Sequence, residues 1–154
     1  MIQLFIGRHG EASFDAPSDR QRCLTENGMS STRLLIQGCA QQLNTIHTLW
    51  SSELVRAQQT AAIYADILGL DVTRQRFLAP ESDSATVIRK LSALEGDSAI
   101  AIVSHQPLVG ELVSLICHGH PYEAHPFVPS ELVHIECEVV GLGLGQLKQH
   151  WRPA

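Results

Sequence analysis

The chain opens on an unbroken apolar run, Ile2 to Ile6, that stops at Gly7. A short continuous run of this kind predicts a strand buried on both faces. From Arg8 to Arg22 the residues turn polar, with Pro17 and several Asp and Ser, and predict a loop. Thr25 offers a helix N-cap, after which Met29, Ile36, Ala40 and Leu43 recur at helical spacing with Gly38 as a weak point. Ile46 to Trp50 predicts a second strand, ending in Ser51-Ser52. The helix after it carries Leu54, Ala57, Ala61, Ala65 and Leu68 on one face and stops at Gly69. Val72 to Leu78 predicts a third strand despite Arg74 and Arg76. Val87, Ile88, Leu91 and Leu94 mark a third helix that ends near Gly96. Ala99 to Val103 is the clearest buried strand, and Pro107 suits the first turn of a helix with Leu108, Leu112 and Leu115 facing inward.

Beyond residue 130 the period changes. Val133, Ile135, Cys137 and Val139 alternate with His134, Glu136 and Glu138, which predicts a strand with one wet face. Gly141 to Gly145 is a turn without the spacing of a nucleotide loop, and Leu147, Gln149 and Trp151 alternate again to close a hairpin. The order β-α-β-α-β-α-β-α-β-β predicts an α/β fold: a three-layer α/β/α sandwich with a mostly parallel sheet and a C-terminal antiparallel hairpin, residues 1–154 forming one domain. Ligands of such sheets bind beyond the carboxyl ends of the strands. Three of those ends carry suggestive side chains: Arg8-His9, Ser51-Ser52 followed by Arg56, and Ser104-His105.

Composition narrows the function. With 44% hydrophobic and 18% charged residues the chain reads as globular. No apolar run approaches the roughly 18–20 residues that span a bilayer, so no membrane partner and a cytoplasmic location are expected. A formal net charge of −5 argues against nucleic acid. The basic residues are nine Arg and only two Lys, a skew that points to planar recognition of carboxylate or phosphate. Cys23, Cys39, Cys117 and Cys137 contain no C-x-x-C pair and are expected to be reduced, buried thiols.

Two His and two Arg at one sheet edge predict a cationic pocket. Guanidinium groups bind phosphoryl oxygens bidentately, and an imidazole nitrogen can attack phosphorus and hold it covalently. The attacking imidazole must be neutral, and neighbouring positive charge favours that form.

Four stretches now carry a resemblance. Arg8-His9-Gly10-Glu11 resembles the RHG signature of the histidine phosphatase superfamily, the phosphoglycerate-mutase-like proteins. Leu24-Thr25-Glu26-Asn27-Gly28 is similar to that family's L-T-x-x-G helix start, Ser52 to Thr60 to its S-x-x-x-R-A-x-Q-T element, and Ser104-His105-Gln106-Pro107 to its S-H-x-P element. RHG by itself is a weak pattern; the four in family order, reaching to about residue 115, are specific. Length, compact motif spacing and the run Pro107-Leu108-Val109-Gly110 most resemble the short bacterial SixA-type phosphohistidine phosphatases. Cys23 stands where those carry a proline.

The resemblance implies roles. His9 is the nucleophile that becomes phosphorylated, Arg8 and Arg56 clamp the phosphoryl oxygens, and a protonated His105 stabilises charge on the same group. Arg22 is a candidate phosphate contact, with a surface ion pair to a nearby Asp as its plain alternative. Glu81, in Ala79-Pro80-Glu81, is the candidate general acid, with an exposed loop Glu as its alternative. An imidazole leaving group needs such an acid less than an alkoxide does. No metal and no cofactor are implied. Superfamily members acting on small molecules carry long insertions over the site; here the longest loops are about Gly10 to Cys23 and Gly119 to Pro129, so the pocket is expected to be open.

The expected function is therefore a protein phosphohistidine phosphatase. Its expected partner is a histidine-phosphotransfer domain or a phosphocarrier, and a monomer is favoured. The alternatives are a small-molecule phosphomonoesterase of the same fold, a catalytically silent phosphoprotein-binding module, and a zinc protein built on His118, His120 and His125. Those loop histidines are otherwise expected to form a rim, His134 to face water, and Glu11 to pair with an Arg.

Overall fold

The computed structural model describes residues 1–154. Six strands form one sheet: β1 (Ile2–Arg8), β2 (Thr48–Ser51), β3 (Val72–Arg74), β4 (Ser98–Ser104), β5 (Leu132–Cys137) and β6 (Gln146–Trp151), in the spatial order β3-β2-β4-β1-β5-β6. Strands β1 to β4 run parallel; β5 lies antiparallel to β1, and β6 to β5. The α/β sandwich expected from the alternation of patterns is the fold observed. No helix is long and apolar enough to cross a membrane.

Helices α1 (Glu26–Cys39) and α2 (Val55–Leu68) cover one face of the sheet, α3 (Ser84–Leu91) and α4 (Leu108–His118) the other. The pleat divides β1 between the two cores: Leu4 and Ile6 pack with Leu91, Leu112 and Ile116, while Phe5 packs with Ile36, Ala57 and Tyr64. Both faces are dry, which is why the central strands read as continuous apolar runs. Ala57 and Ala61 let α2 lie close on the sheet. Helix α1 starts as expected, its Thr25 side chain accepting from Gly28 N–H, and α2 ends on Gly69 in the left-handed region, φ +70°.

Several local expectations are corrected. The third strand stops at Arg74, and Arg76–Leu78 form a 3₁₀ turn. Continued pairing at this sheet edge would keep Leu78 in a two-residue alternation with charged neighbours. The turn instead buries Leu78 under α3 and packs Phe77 edge-on to Trp50. Met29 is exposed, and the buried stripe of α1 runs through Gly28, Thr32, Leu35, Ile36 and Cys39. His134 lies on the wetter face of β5 but is half covered, stacked on Phe5 at 4.4 Å and bonded to Gln3. Of the cysteines, Cys39 and Cys137 are buried, whereas Cys23 is exposed and Cys117 intermediate, because Cys23 sits in a surface loop.

Strand register is what assembles a site. Arg8 pairs with Ser104 across β1 and β4, and Val103 with Ser51 across β4 and β2. Three strands thus end level. The next residues follow the same ladder, His9 N–H donating to Ser104 O and Ser52 N–H to Val103 O, each at 3.0 Å.

Candidate active site

Beyond those level ends, His9 and His105 meet with ring centroids 5.1 Å apart. His9 is 8% exposed and His105 1%. The Nδ1 atom of His9 lies 2.7 Å from the Gly10 carbonyl oxygen. A carbonyl only accepts, so Nδ1 carries the proton and the lone pair of the neutral ring is on Nε2. Gly10 is itself pinned, its N–H donating to Thr60 Oγ1, which donates in turn to Arg56 O. A Cβ at Gly10 would come within 2.9 Å of Thr32 Oγ1 and 3.0 Å of Ser130 Oγ, so the turn requires glycine.

Burial lowers the His9 pKa to about 4, and Arg56, Arg8 and Arg22 push the same way against the Gly10 hydrogen bond. The imidazole is therefore a neutral base at pH 7. Activity that depends on it holds down to about pH 5 and is lost as pH falls through about 4. The ¹⁵N shifts of the His9 ring should show the Nδ1–H tautomer at neutral pH and protonation near 4; a ring titrating near 6.5 would contradict this environment. Stability follows the same sign, since the unfolded chain takes up protons below the ordinary value of 6.5 while the folded site does not.

His105 Nε2 lies 2.7 Å from Ser52 Oγ, which also accepts from Leu54 N–H. The hydroxyl can donate to Nε2 or accept from it, and the Nδ1 of His105 is buried without a partner. Burial, then the proximity of His9 and Arg56, lowers the His105 pKa to about 3. The ring is thus neutral in the free protein, and a bound dianion is what would charge it.

The two guanidinium groups frame the histidines. Arg8 donates from Nη1 to Phe127 O at 2.8 Å. Arg56, 5% exposed in the first turn of α2, donates from Nη1 to Asp19 O at 2.7 Å and from Nη2 to Asp19 Oδ2 at 3.3 Å. In both, Nε is buried and unpaired. The buried side-chain polar atoms without a partner are Arg8 Nε, Arg56 Nε, His105 Nδ1 and Tyr64 Oη. Leaving such a donor unmade costs about 1–3 kcal/mol. Three of them beside one free imidazole lone pair describe a seat for an oxyanion. None of the four cavities in the molecule, between about 270 and 480 Å³, is lined by these residues.

The other candidates are placed differently. Arg22 is committed to its own loop: Nε donates to Ser13 O, Nη2 to Ala12 O, and Nη1 pairs with Asp19 at 3.3 Å, while the group lies 3.9 Å over the Phe14 ring. Glu81 is exposed and pairs with Arg20 rather than with His9 or His105. Glu11 contacts no Arg. It accepts from Thr25 Oγ1 and Asn27 Nδ2, holding the start of α1. Of the loop histidines, His118 and His120 stack at 6.0 Å, His118 also pairing with Glu123 and His120 stacking on Tyr122, while His125 bonds Glu131. Sequence reasoning missed Asp19, which holds Arg56, and assigned no role to Ser52, which holds His105. Asp19 lies in a stretch without period, and nothing local couples it to a helix 37 residues on.

Comparison with known proteins agrees with this geometry. The family model described as histidine phosphatase superfamily (branch 1) matches residues 4–79. The phosphohistidine phosphatase SixA of Escherichia coli is 36% identical over 147 residues, 92% of this chain and 89% of that protein. Its homologue in Haemophilus influenzae is 33% identical over 144 residues, 86% and 88% of the two chains. Among solved structures, the protein histidine phosphatase SixA complexed with tungstate superposes with a TM-score of 0.89 at 33% identity, covering 98% of this chain and 97% of the other. Tungstate is a tetrahedral oxyanion, the shape and charge the three unpaired donors would accept.

Proposed function

The chain belongs to the histidine phosphatase superfamily, and we propose that it is a phosphohistidine phosphatase in which His9 Nε2 attacks phosphorus. One observation carries this reading. His9 is a neutral ring whose Nε2 lone pair is free, packed 5.1 Å from His105, and Arg8 Nε, Arg56 Nε and His105 Nδ1 are buried without partners. The names of the relatives support the substrate class.

The lone pair of His9 Nε2 forms a bond to phosphorus as the bond to the departing imidazole nitrogen breaks. The electron pair leaves with that nitrogen, which takes a proton from solvent. Arg8 and Arg56 hold the equatorial oxygens, where charge accumulates, and His105 Nδ1–H donates to the same group. Water then attacks the phospho-His9 intermediate, releasing inorganic phosphate and returning His9 to its neutral form. The cationic charge comes from the protein, so no step is routed through a metal or cofactor.

The phosphoryl donor is a phosphohistidine side chain on another protein, of the histidine-phosphotransfer or phosphocarrier kind, in a cytoplasmic signalling relay. The short loops of the chain suit a donor presented on a protein surface, and four free thiols fit a reducing compartment. Turnover settles the substrate: such a phosphoprotein should be hydrolysed with a higher kcat/KM than p-nitrophenyl phosphate. The reverse order would favour the phosphomonoesterase, and tight binding without release of phosphate would favour the silent binding module.

Glu81 separates the two enzymatic readings further. Exposed and paired with Arg20, it is not held at a leaving group. E81Q should change phosphohistidine hydrolysis by less than about threefold, whereas loss of a true general acid lowers rate by about 10²–10⁴.

A further inference from the structure

A carboxylate that is fully buried lies directly behind the site, and nothing in the chemistry above uses it. Glu131 precedes β5 and is 0% exposed. Its Oε1 accepts from Val128 N–H at 3.0 Å and from Arg152 Nε at 2.9 Å; its Oε2 lies 2.5 Å from His125 Nε2 and 3.8 Å from His150 Nδ1. An apolar residue would fill the start of a strand without the desolvation cost of a carboxylate. Its contacts are therefore informative.

We propose that Glu131 is a positioning residue for the phosphoryl seat, clamping the turn 127–131 between the His125 loop and the C-terminal Arg152 so that Arg8 and His9 stay aligned. Three bonds run from that turn to the two site residues. Phe127 O accepts from Arg8 Nη1 at 2.8 Å, Glu131 O accepts from Arg8 N–H at 3.0 Å, and Ser130 N–H donates to His9 O at 3.1 Å. Ser130 is the one non-glycine residue at positive φ, +70°. A side chain in that region persists only where its surroundings over-determine it. Here Ser130 Oγ meets Thr32 Oγ1 at 2.7 Å and Glu131 ties down the residues on either side. Without the carboxylate, Val128 N–H loses its acceptor and the Phe127 carbonyl is free to turn from Arg8. The Arg8 Nε that faces the oxyanion would turn with it.

The inference rests on the functional reading above, and tungstate affinity separates the two. In folded E131L, which keeps about the side-chain volume but offers Val128 N–H no acceptor, the tungstate dissociation constant should rise about tenfold and kcat should fall with it, as for a catalytic group displaced by about an ångström. R152A, which keeps the carboxylate but removes one of the two donors to its Oε1, should weaken tungstate about threefold. A purely structural role would lower the unfolding midpoint of either variant and leave the affinity of its folded fraction unchanged. Parent-like tungstate binding in both folded variants overturns the proposal; should E131L not fold, parent-like binding by R152A alone overturns it. A parent chain that neither binds tungstate nor forms phospho-His9 would sink the functional reading, and this inference with it.

Discussion

His9→Ala abolishes the phosphoenzyme and lowers turnover of a phosphohistidine donor by about 10⁴-fold or more, the scale seen when a covalent nucleophile is removed. The loss is chemical, since Arg8, Arg56 and His105 remain to bind the oxyanion and tungstate affinity should fall far less than rate. Labelling with a phosphohistidine donor checks it. The parent should acquire acid-labile, base-stable phosphate and the variant none. Label retained on H9A would move the nucleophile elsewhere, with His105 next in line. Its ring lies 5.1 Å from that of His9 and its Nδ1 is unpaired, but its Nε2 is held by Ser52. The variant should stay folded, because His9 is held through its main chain to Ser104 and Ser130 whatever its side chain.

Arg56→Ala should cost about 10³-fold in kcat/KM, at the lower end of what an arginine facing a transferring phosphoryl group contributes. Arg56 spends Nη1 and Nη2 on Asp19 and leaves Nε unpaired for the oxyanion, so one planar group can both dock and bind. A lysine ammonium is a single point and cannot do both, so R56K should recover little of the lost rate. Steady-state kinetics with tungstate as a competing oxyanion measures both variants. An R56K that restores activity within tenfold of the parent would show that charge alone matters there and that the fork held by Asp19 does not. The two experiments also discriminate in kind: H9A removes the intermediate, while R56A slows its formation and its hydrolysis together.

Four strands from runs of apolar residues, four helices from spaced ones and a wet-faced hairpin at the end were all legible in the order of residues, because each is a local period. The cluster of Arg8, His9, Arg56 and His105 was legible for a related reason. Arg8 ends a strand, His9 and His105 directly follow one, Arg56 opens the helix after another, and parallel strands joined by helices present their ends at one edge. Where the reading slipped, a neighbour distant in sequence decided. Leu78 left the strand pattern to reach α3. His134 is half covered because Phe5 on the adjacent strand offered a ring to stack on. Glu11 found Thr25 and Asn27 rather than an arginine.

Sequence alone determined the α/β class, the register-ready strand ends and the residue types that converge there, since hydrophobic periodicity and motif order are properties of short segments. Only the tertiary structure decided which nitrogen of His9 is free, that both site histidines are neutral, that Asp19 aims Arg56, and that a buried Glu131 stands behind Arg8. Those facts depend on burial and on hydrogen bonds between segments tens to more than a hundred residues apart. No local pattern encodes a desolvated ring or a carbonyl brought in by another loop; they exist once the sheet has closed the distance.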